Sequence, residues 1–320
     1  MASSSFHSSG RWDGNNAVVV LVGPTASGKT LVSLHLAPML NAEIISADSR
    51  QVYRHLDIGT AKPTPAERSE VPHHLIDELP PDKEFNAGEF GVRGREVIDA
   101  IIARGHVPLV VGGSGLYIQS LVDGFFEGPG ADWEYRAHLE EKIRQGKLSE
   151  LISELRIVDP DSAGRIDPTK PRRIVRALEV YHIAGKPLSV LQKEGKIAVH
   201  FTPRFFGLEW ERAELYHRIN MRCEEMLNAG LLDEIQKLEA MGYGPSLNAL
   251  RTVGYAEGFA FQRGEISYDE MVRLFKQNSR RYAKRQMTWF RRDERVRWIA
   301  MREWSSAEAV AKEIVEMVRS

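Results

Sequence analysis

Residues Ala17–Val22 (AVVVLV) are apolar without interruption and rich in β-branched side chains, and Gly23 ends the run. A stretch this short and continuous predicts a buried strand feeding a glycine loop. A helix is predicted next, from Lys29 to about Leu40. Glu43–Ala47 (EIISA) reads as a second strand ending at Asp48. His74–Asp77 and Pro108–Val111 read as two more, the latter running into Gly112-Gly113-Ser114-Gly115. Between them Phe90–Arg104 has helical periodicity. Strands alternating with helices predict a parallel sheet covered on both faces, an α/β fold.

Near Phe126 the pattern changes. Gly128–Asp132 is loop-like, and Trp133 to about Ala198 reads as consecutive helices broken by Gly and Pro. Phe205–Trp210 (FFGLEW) then looks like a returning strand and Arg297–Ile299 like a short final one. The expected organisation is an α/β core of residues 16–126 and 201–320, interrupted by a helical insertion domain over 127–200. Residues 1–15, polar and serine-rich, are expected to form a disordered tail.

Bulk properties narrow the class. At 320 residues, with 42% hydrophobic and 27% charged positions, the chain is ordinary for a globular cytoplasmic protein. The formal net charge of -1 means that any polyanionic partner must be met by a local patch. The single cysteine, Cys223, excludes an internal disulfide and a cysteine-based zinc site. No run approaches the ~20 apolar residues of a membrane helix. The N-terminus lacks the apolar core of a secretory signal.

The strongest chemical signal is Gly23-Pro24-Thr25-Ala26-Ser27-Gly28-Lys29-Thr30, a GxxxxGK[ST] loop between a strand and a helix. Its glycines let backbone amides and a helix N-terminus wrap a phosphate, Lys29 adds a point charge, and Thr30 can ligate Mg²⁺. Which phosphate it holds is left open by the motif, with a nucleoside triphosphate the default. Asp48 and Asp77, both at predicted strand ends, are the candidate acids at the carboxyl edge of the sheet.

A second signal lies near the C-terminus. Between Lys276 and Arg302 ten Lys/Arg face two acids, a local net charge of +8. On a helix at ~100° per residue, Arg280, Arg281, Lys284, Arg285, Arg291 and Arg292 fall within one arc of about 140°. Met271, Phe275, Tyr282, Trp289 and Phe290 fall opposite. Such a helix can dock its apolar side and offer cations to a nucleic acid. Lys170–Arg176 (KPRRIVR) and Arg251–Tyr255 (RTVGY) are smaller clusters of the same kind.

Taken together, GPTASGKT (23–30), ADSRQVY (47–53), DIGTAKP (57–63), PHHLID (72–77), VGGSGLY (111–117), RALEVY (176–181), RTVGY (251–255) and KRQMTWF (284–290) resemble the tRNA dimethylallyltransferases, or tRNA isopentenyltransferases. Ser114 stands where that family more often carries Thr. The lack of cysteines for a C-terminal zinc finger points to the bacterial type.

The resemblance implies a P-loop-type sheet and transfer of a dimethylallyl group from its diphosphate to N6 of the adenosine at tRNA position 37. It reassigns Gly23–Thr30 to the pyrophosphate of the allylic donor, with Mg²⁺ at Thr30. Asp48 would accept the proton or a hydrogen bond of the attacking amine. Thr25 would meet the bridging oxygen, and Arg251, with Lys29, would stabilise the departing charge. The anticodon stem-loop would be met by Asp48, Ser49, Arg50, Gln51, Ser114, Arg136, Arg172, Arg173, Arg176, Arg251, Thr252, Val253, Gly254, Tyr255, Lys284 and Arg285. The target base would be extruded into the site. A monomer is expected. The rival readings are an isopentenyltransferase acting on AMP, ADP or ATP, a small-molecule P-loop kinase, and an RNA-binding module without turnover.

Overall fold

The structure, a computed structural model, describes residues 16–124, 128–194 and 199–320. The expected tail over 1–15 and the expected boundary at 126/127 lie outside the described residues. Along the chain come β1 (Ala17–Val22), α1 (Lys29–Leu40), β2 (Ala42–Ser46), α2 (Pro65–Glu70), β3 (His73–His74), α3 (Ala87–Ala103), β4 (Val107–Gly112) and α4 (Gly115–Asp123). Five helices follow: α5 (Trp133–Arg144), α6 (Leu148–Val158), α7 (Pro160–Arg165), α8 (Pro171–Ala184) and α9 (Leu188–Glu194). Then come β5 (Thr202–Trp210), α10 (Arg212–Asn228), α11 (Leu231–Ala240), α12 (Tyr255–Gln262), α13 (Tyr268–Phe290), β6 (Val296–Met301) and α14 (Ala307–Arg319). These divide into two compact units, Met1–Val122 with His200–Ser320, and Asp123–Val199.

In the first unit the six strands form one sheet in the order β3-β2-β4-β1-β5-β6, with every neighbouring pair parallel. β1 runs through the middle, and Val18–Val22 expose no surface at all. A strand buried on both faces needs cover on both, which is why it reads as an unbroken apolar run. α1 packs against β2 and β4, and α14 packs on α1. Buried Val310, Ala311, Ile314, Val315 and Val318 form the helical stripe that docks α14.

β3 is shorter than the sequence predicts. Leu75 (φ 60) and Asp77 (φ 56) adopt left-handed backbone, so the ladder stops after His74. Asp77 therefore does not end a strand. Its carboxylate pairs instead with buried Lys62 and with Arg68, at 2.7 Å from the latter. This removes Asp77 as the candidate acid of the phosphate site.

The second unit is wholly helical among the described residues. Leu139, Leu151, Leu155, Ile174, Val175, Ala177 and Leu178 form its core. Beside them Glu179, fully buried, accepts hydrogen bonds from Arg136 (2.6 and 2.9 Å), Arg176 (2.6 Å) and the Asp132 amide (2.8 Å). Burial opposes its ionisation, but those bonds outweigh it and hold the carboxyl below its usual range. Arg136 and Arg176 thus knit this unit together, whereas Arg172 and Arg173 are exposed on the first turn of α8.

Candidate active site

Because β1 is central, the turn after it opens at the carboxyl edge of the sheet, where open α/β folds collect ligands. Ala26 (φ 63) and Gly28 (φ 91) take left-handed backbone, a geometry in which successive amides converge on an anion. Gly28 is also the N-cap of α1, so the positive end of that helix meets the same point. Lys29 Nζ donates to the carbonyls of Gly23 (2.9 Å) and Pro24 (2.7 Å). Three side chains brace the loop. Trp210 Nε1 donates to Ser27 O and Arg218 Nε to Ala26 O, both at 3.0 Å, and Gln286 Oε1 accepts from Thr25 N at 2.9 Å.

The loop forms one wall of a cavity of about 1200 Å³. Thr25–Thr30 line it, while Gly23 and Pro24 lie buried behind. Asp48, at the end of β2, lines the same space, as do Ser49, Arg50 and Gln51. The Arg50 amide donates to Asp48 Oδ1 (2.8 Å), and Arg50 Nη1 reaches Asn248 O (2.7 Å). Gln51 is held at both ends of its amide. Its oxygen accepts from Ser46 Oγ (2.8 Å), and its nitrogen donates to the carbonyls of Thr60 (3.2 Å) and Ala61 (3.3 Å). Ser114 Oγ accepts from the Ser49 amide at 3.1 Å.

α10, which no sequence motif singles out, lines the cavity beside the loop with Arg218 and Arg222. Arg222 Nη1 donates to Thr25 Oγ1 at 3.2 Å. Enclosure pushes the Lys29 ammonium down to about 7, with the like charge of Arg222 adding to the effect and Asp48 opposing it. Two cations thus stand close together on the cavity wall, an arrangement that favours an anion beside them. Tyr282, from α13, also faces the cavity and bonds to Ser114; burial and the Asp48 carboxylate push its phenol up to about 12, so it stays protonated.

Gln286 ties these parts together. Its Nε2 donates to Gly113 O (3.0 Å) while its Oε1 receives Thr25 N, so one buried amide joins the phosphate loop to the turn after β4. Arg251, exposed, lines the cavity with Thr252 and Val253. Gly254 and Tyr255 do not. Tyr255 is 0% exposed and donates its hydroxyl to Glu234 at 2.6 Å, so its expected contact with RNA gives way to a role inside the fold.

The basic face of α13 is narrower than the helical projection suggests. The helix ends at Phe290, and Arg291 and Arg292 lie in the turn that leads to β6. Lys276 pairs with Glu224, Arg280 with Asn220 (2.6 Å) and Arg291 with Glu209 (2.7 Å). Lys284 and Arg285 remain exposed, and Arg285 also borders the cavity.

This architecture has relatives. Residues 51–293 match the family described as IPP transferase, and residues 16–83 match the isopentenyl transferase family. A tRNA dimethylallyltransferase of Desulforudis audaxviator is 45% identical over 298 residues, covering 93% of this chain and 96% of the relative. Among solved structures, the full-length tRNA isopentenylpyrophosphate transferase of Bacillus halodurans is similar with a TM-score of 0.69 and 37% identity, covering 95% of this chain and 97% of that one. A eukaryotic dimethylallyltransferase captured acting on tRNA is similar with a TM-score of 0.80 and 26% identity, over 94% of this chain and 78% of that one.

Proposed function

The chain belongs to the IPP transferase family of tRNA dimethylallyltransferases, and from that premise we propose how its residues perform the transfer. The reaction moves a dimethylallyl group onto N6 of adenosine 37 in tRNA. The observation that carries the assignment of roles is the cavity itself, with Lys29 and Arg222 at the phosphate loop and Asp48 lining the same space.

Dimethylallyl diphosphate seats its pyrophosphate in Gly23–Thr30, under the loop amides, Lys29 and the N-terminus of α1. N6 forms a bond to the allylic carbon as the bond from that carbon to the bridging oxygen breaks, and the electron pair leaves with pyrophosphate. Exocyclic adenine nitrogen is a poor nucleophile, since its lone pair is spread into the ring. Asp48 takes its proton as the new bond forms. Thr25, oriented by Arg222, donates a hydrogen bond to the bridging oxygen, while Lys29, Arg222 and Arg251 meet the growing negative charge.

Mg²⁺ fits this arrangement in one way. Thr30 and Asp48 offer hard oxygen donors in the cavity. Among the described residues no group of three or more His, Cys, Asp or Glu forms a metal cage. That donor set suits an ion held chiefly by the diphosphate and water, with Thr30 as its protein ligand. Bound there, it would neutralise part of the pyrophosphate charge.

Lys29 gives this reading a pH signature. In the free protein enclosure and Arg222 push its ammonium down to about 7, and the negative charge of a bound pyrophosphate would hold the proton on. Binding at pH 8 therefore takes up about one proton, and affinity weakens as pH rises above 7. Calorimetry of inorganic pyrophosphate in buffers of different ionisation enthalpy measures the uptake, which Lys29→Met should abolish. Equal uptake by both proteins would remove Lys29 from the phosphate site.

On the RNA side, exposed Lys284 and Arg285 supply phosphate contacts that give affinity without sequence selectivity. Replacing both with alanine should weaken tRNA binding and reduce the slope of log affinity against log salt by roughly 1.5–2. Donor binding should hold. An unchanged slope would take these residues off the RNA.

The acceptor is tested by offering the protein dimethylallyl diphosphate with either unmodified tRNA or AMP, ADP or ATP. Mass spectrometry of the digested nucleosides should find the prenyl group on tRNA adenosine alone. Efficient prenylation of mononucleotides would overturn the assignment.

A further inference from the structure

Within the segment Asp48–Gln51, Gln51 is held by Ser46, Thr60 and Ala61, and behind the turn that leads into Thr60 and Ala61 stands one carboxylate that does not itself line the cavity. Glu234, on α11 and only 9% exposed, accepts four hydrogen bonds. Its Oε2 takes the amides of Asp57 (3.0 Å) and Ile58 (2.7 Å). Its Oε1 takes the Gly59 amide (3.1 Å) and the Tyr255 hydroxyl (2.6 Å). All four donors point at one buried group, and the three amide bonds reach across at least 175 residues of chain to fix the turn over 57–59.

The packing around this carboxylate is close. A Cβ on Gly59 would sit 2.5 Å from the Tyr255 ring, so glycine is required for the turn to lie against the tyrosine that shares Glu234. Burial and the Glu234 carboxylate push the Tyr255 phenol well above its usual range, which keeps it a donor. The same turn runs on into Thr60 and Ala61, whose carbonyls receive Gln51 Nε2. Gln51 follows Asp48 by three residues and lines the cavity, whereas Glu234 does not.

We infer that Glu234 is a positioning residue for the transfer reaction: through the amides of 57–59 and the carbonyls of 60 and 61 it fixes Gln51, and with it the Asp48 segment that receives the acceptor base. This rests on the proposed role of Asp48. Glu234 exchanges no proton with substrate and touches none; it fixes where the acceptor side of the cavity stands relative to the phosphate loop.

Glutamine at 234 is the informative substitution. One orientation of its amide turns the –NH₂ on the Asp57 and Ile58 amides, and the other turns it on the Gly59 amide while the Tyr255 hydroxyl rotates to accept, so one or two of the four bonds become repulsions while side-chain volume is kept. Displacement of a reacting group by a fraction of an ångström lowers turnover without weakening donor capture. Glu234→Gln should therefore cost about 30-fold in kcat, with the KM for dimethylallyl diphosphate within about 2-fold of the parent.

A double-mutant cycle with Gln51→Ala separates positioning from general damage. If Glu234 acts through Gln51, the same Glu234→Gln change should cost less than about 3-fold once Gln51 is already alanine. Circular dichroism and the midpoint of thermal unfolding establish that each variant is folded. If Glu234→Gln does not fold, Tyr255→Phe, which deletes one donor and leaves the carboxylate, takes its place in the cycle with an expected loss of about 5-fold. Equal fold-losses in both backgrounds, or a loss carried by the donor KM, overturn the inference while leaving the function intact. Failure of the unaltered enzyme to prenylate tRNA overturns both.

Discussion

Asp48→Ala should lower the single-turnover rate on unmodified tRNA by about 10³-fold while the Kd for tRNA moves by less than ~3-fold. The carboxylate stands at the end of β2, half-buried, with Oδ1 held by the Arg50 amide at 2.8 Å. That bond fixes its direction and leaves the second oxygen to take the N6 proton. Asp48→Asn keeps the shape and the Arg50 contact but loses the base, so it should fall almost as far. Rapid-quench measurement with both substrates saturating reads the chemical step directly. A variant that bound tRNA poorly yet prenylated at the parental rate would show that Asp48 recognises the acceptor and takes no proton from it.

Arg222→Ala should cost about 10²- to 10³-fold in the same rate, because it withdraws a fixed positive charge from the place where the leaving group gains negative charge. Arg222 is enclosed against the loop and donates to Thr25 Oγ1 at 3.2 Å, so its loss also frees the Thr25 hydroxyl. A second readout follows from the electrostatics. Arg222 is part of what depresses Lys29, so its removal should raise the Lys29 pKa and shrink proton uptake on pyrophosphate binding at pH 8. Arg222→Lys, which restores charge without the planar fork, should recover only part of the rate. If the rate held and only tRNA affinity fell, Arg222 would belong to the RNA surface.

Arg222 leaves little trace in the local sequence. The phosphate loop was legible because its residues are contiguous and its chemistry needs glycines at fixed spacing, and β1 because burial on both faces writes itself as an unbroken apolar run. Arg218 and Arg222 reach the loop from 192 and 197 residues further along, and within α10 they look like ordinary surface charges. Their one local trace is the spacing of four, which puts both on the same helical face.

Other differences have similar causes. β3 was overestimated because nothing in HHLID announces that Leu75 and Asp77 take left-handed backbone. The arc of α13 was overestimated because a helical projection shows no partners: Arg280 is bound to Asn220 and Arg291 to Glu209, and Arg292 lies past the C-cap. Tyr255 belongs to a motif that resembles an RNA contact, yet Glu234 draws its hydroxyl inward. Gln286 could not have been singled out from KRQMTWF, since its value lies in touching Thr25 and Gly113 together.

Every role proposed for the cavity residues depends on the loop at Gly23–Thr30 gripping an allylic leaving group. The most direct test incubates the purified protein with dimethylallyl diphosphate, Mg²⁺ and unmodified tRNA in the absence of ATP, and counts pyrophosphate against N6-dimethylallyladenosine. The two should appear in equal amounts, and added ATP should remain intact. Prenyl transfer that required ATP and split it, or tRNA left unmodified beside untouched donor, would contradict the account.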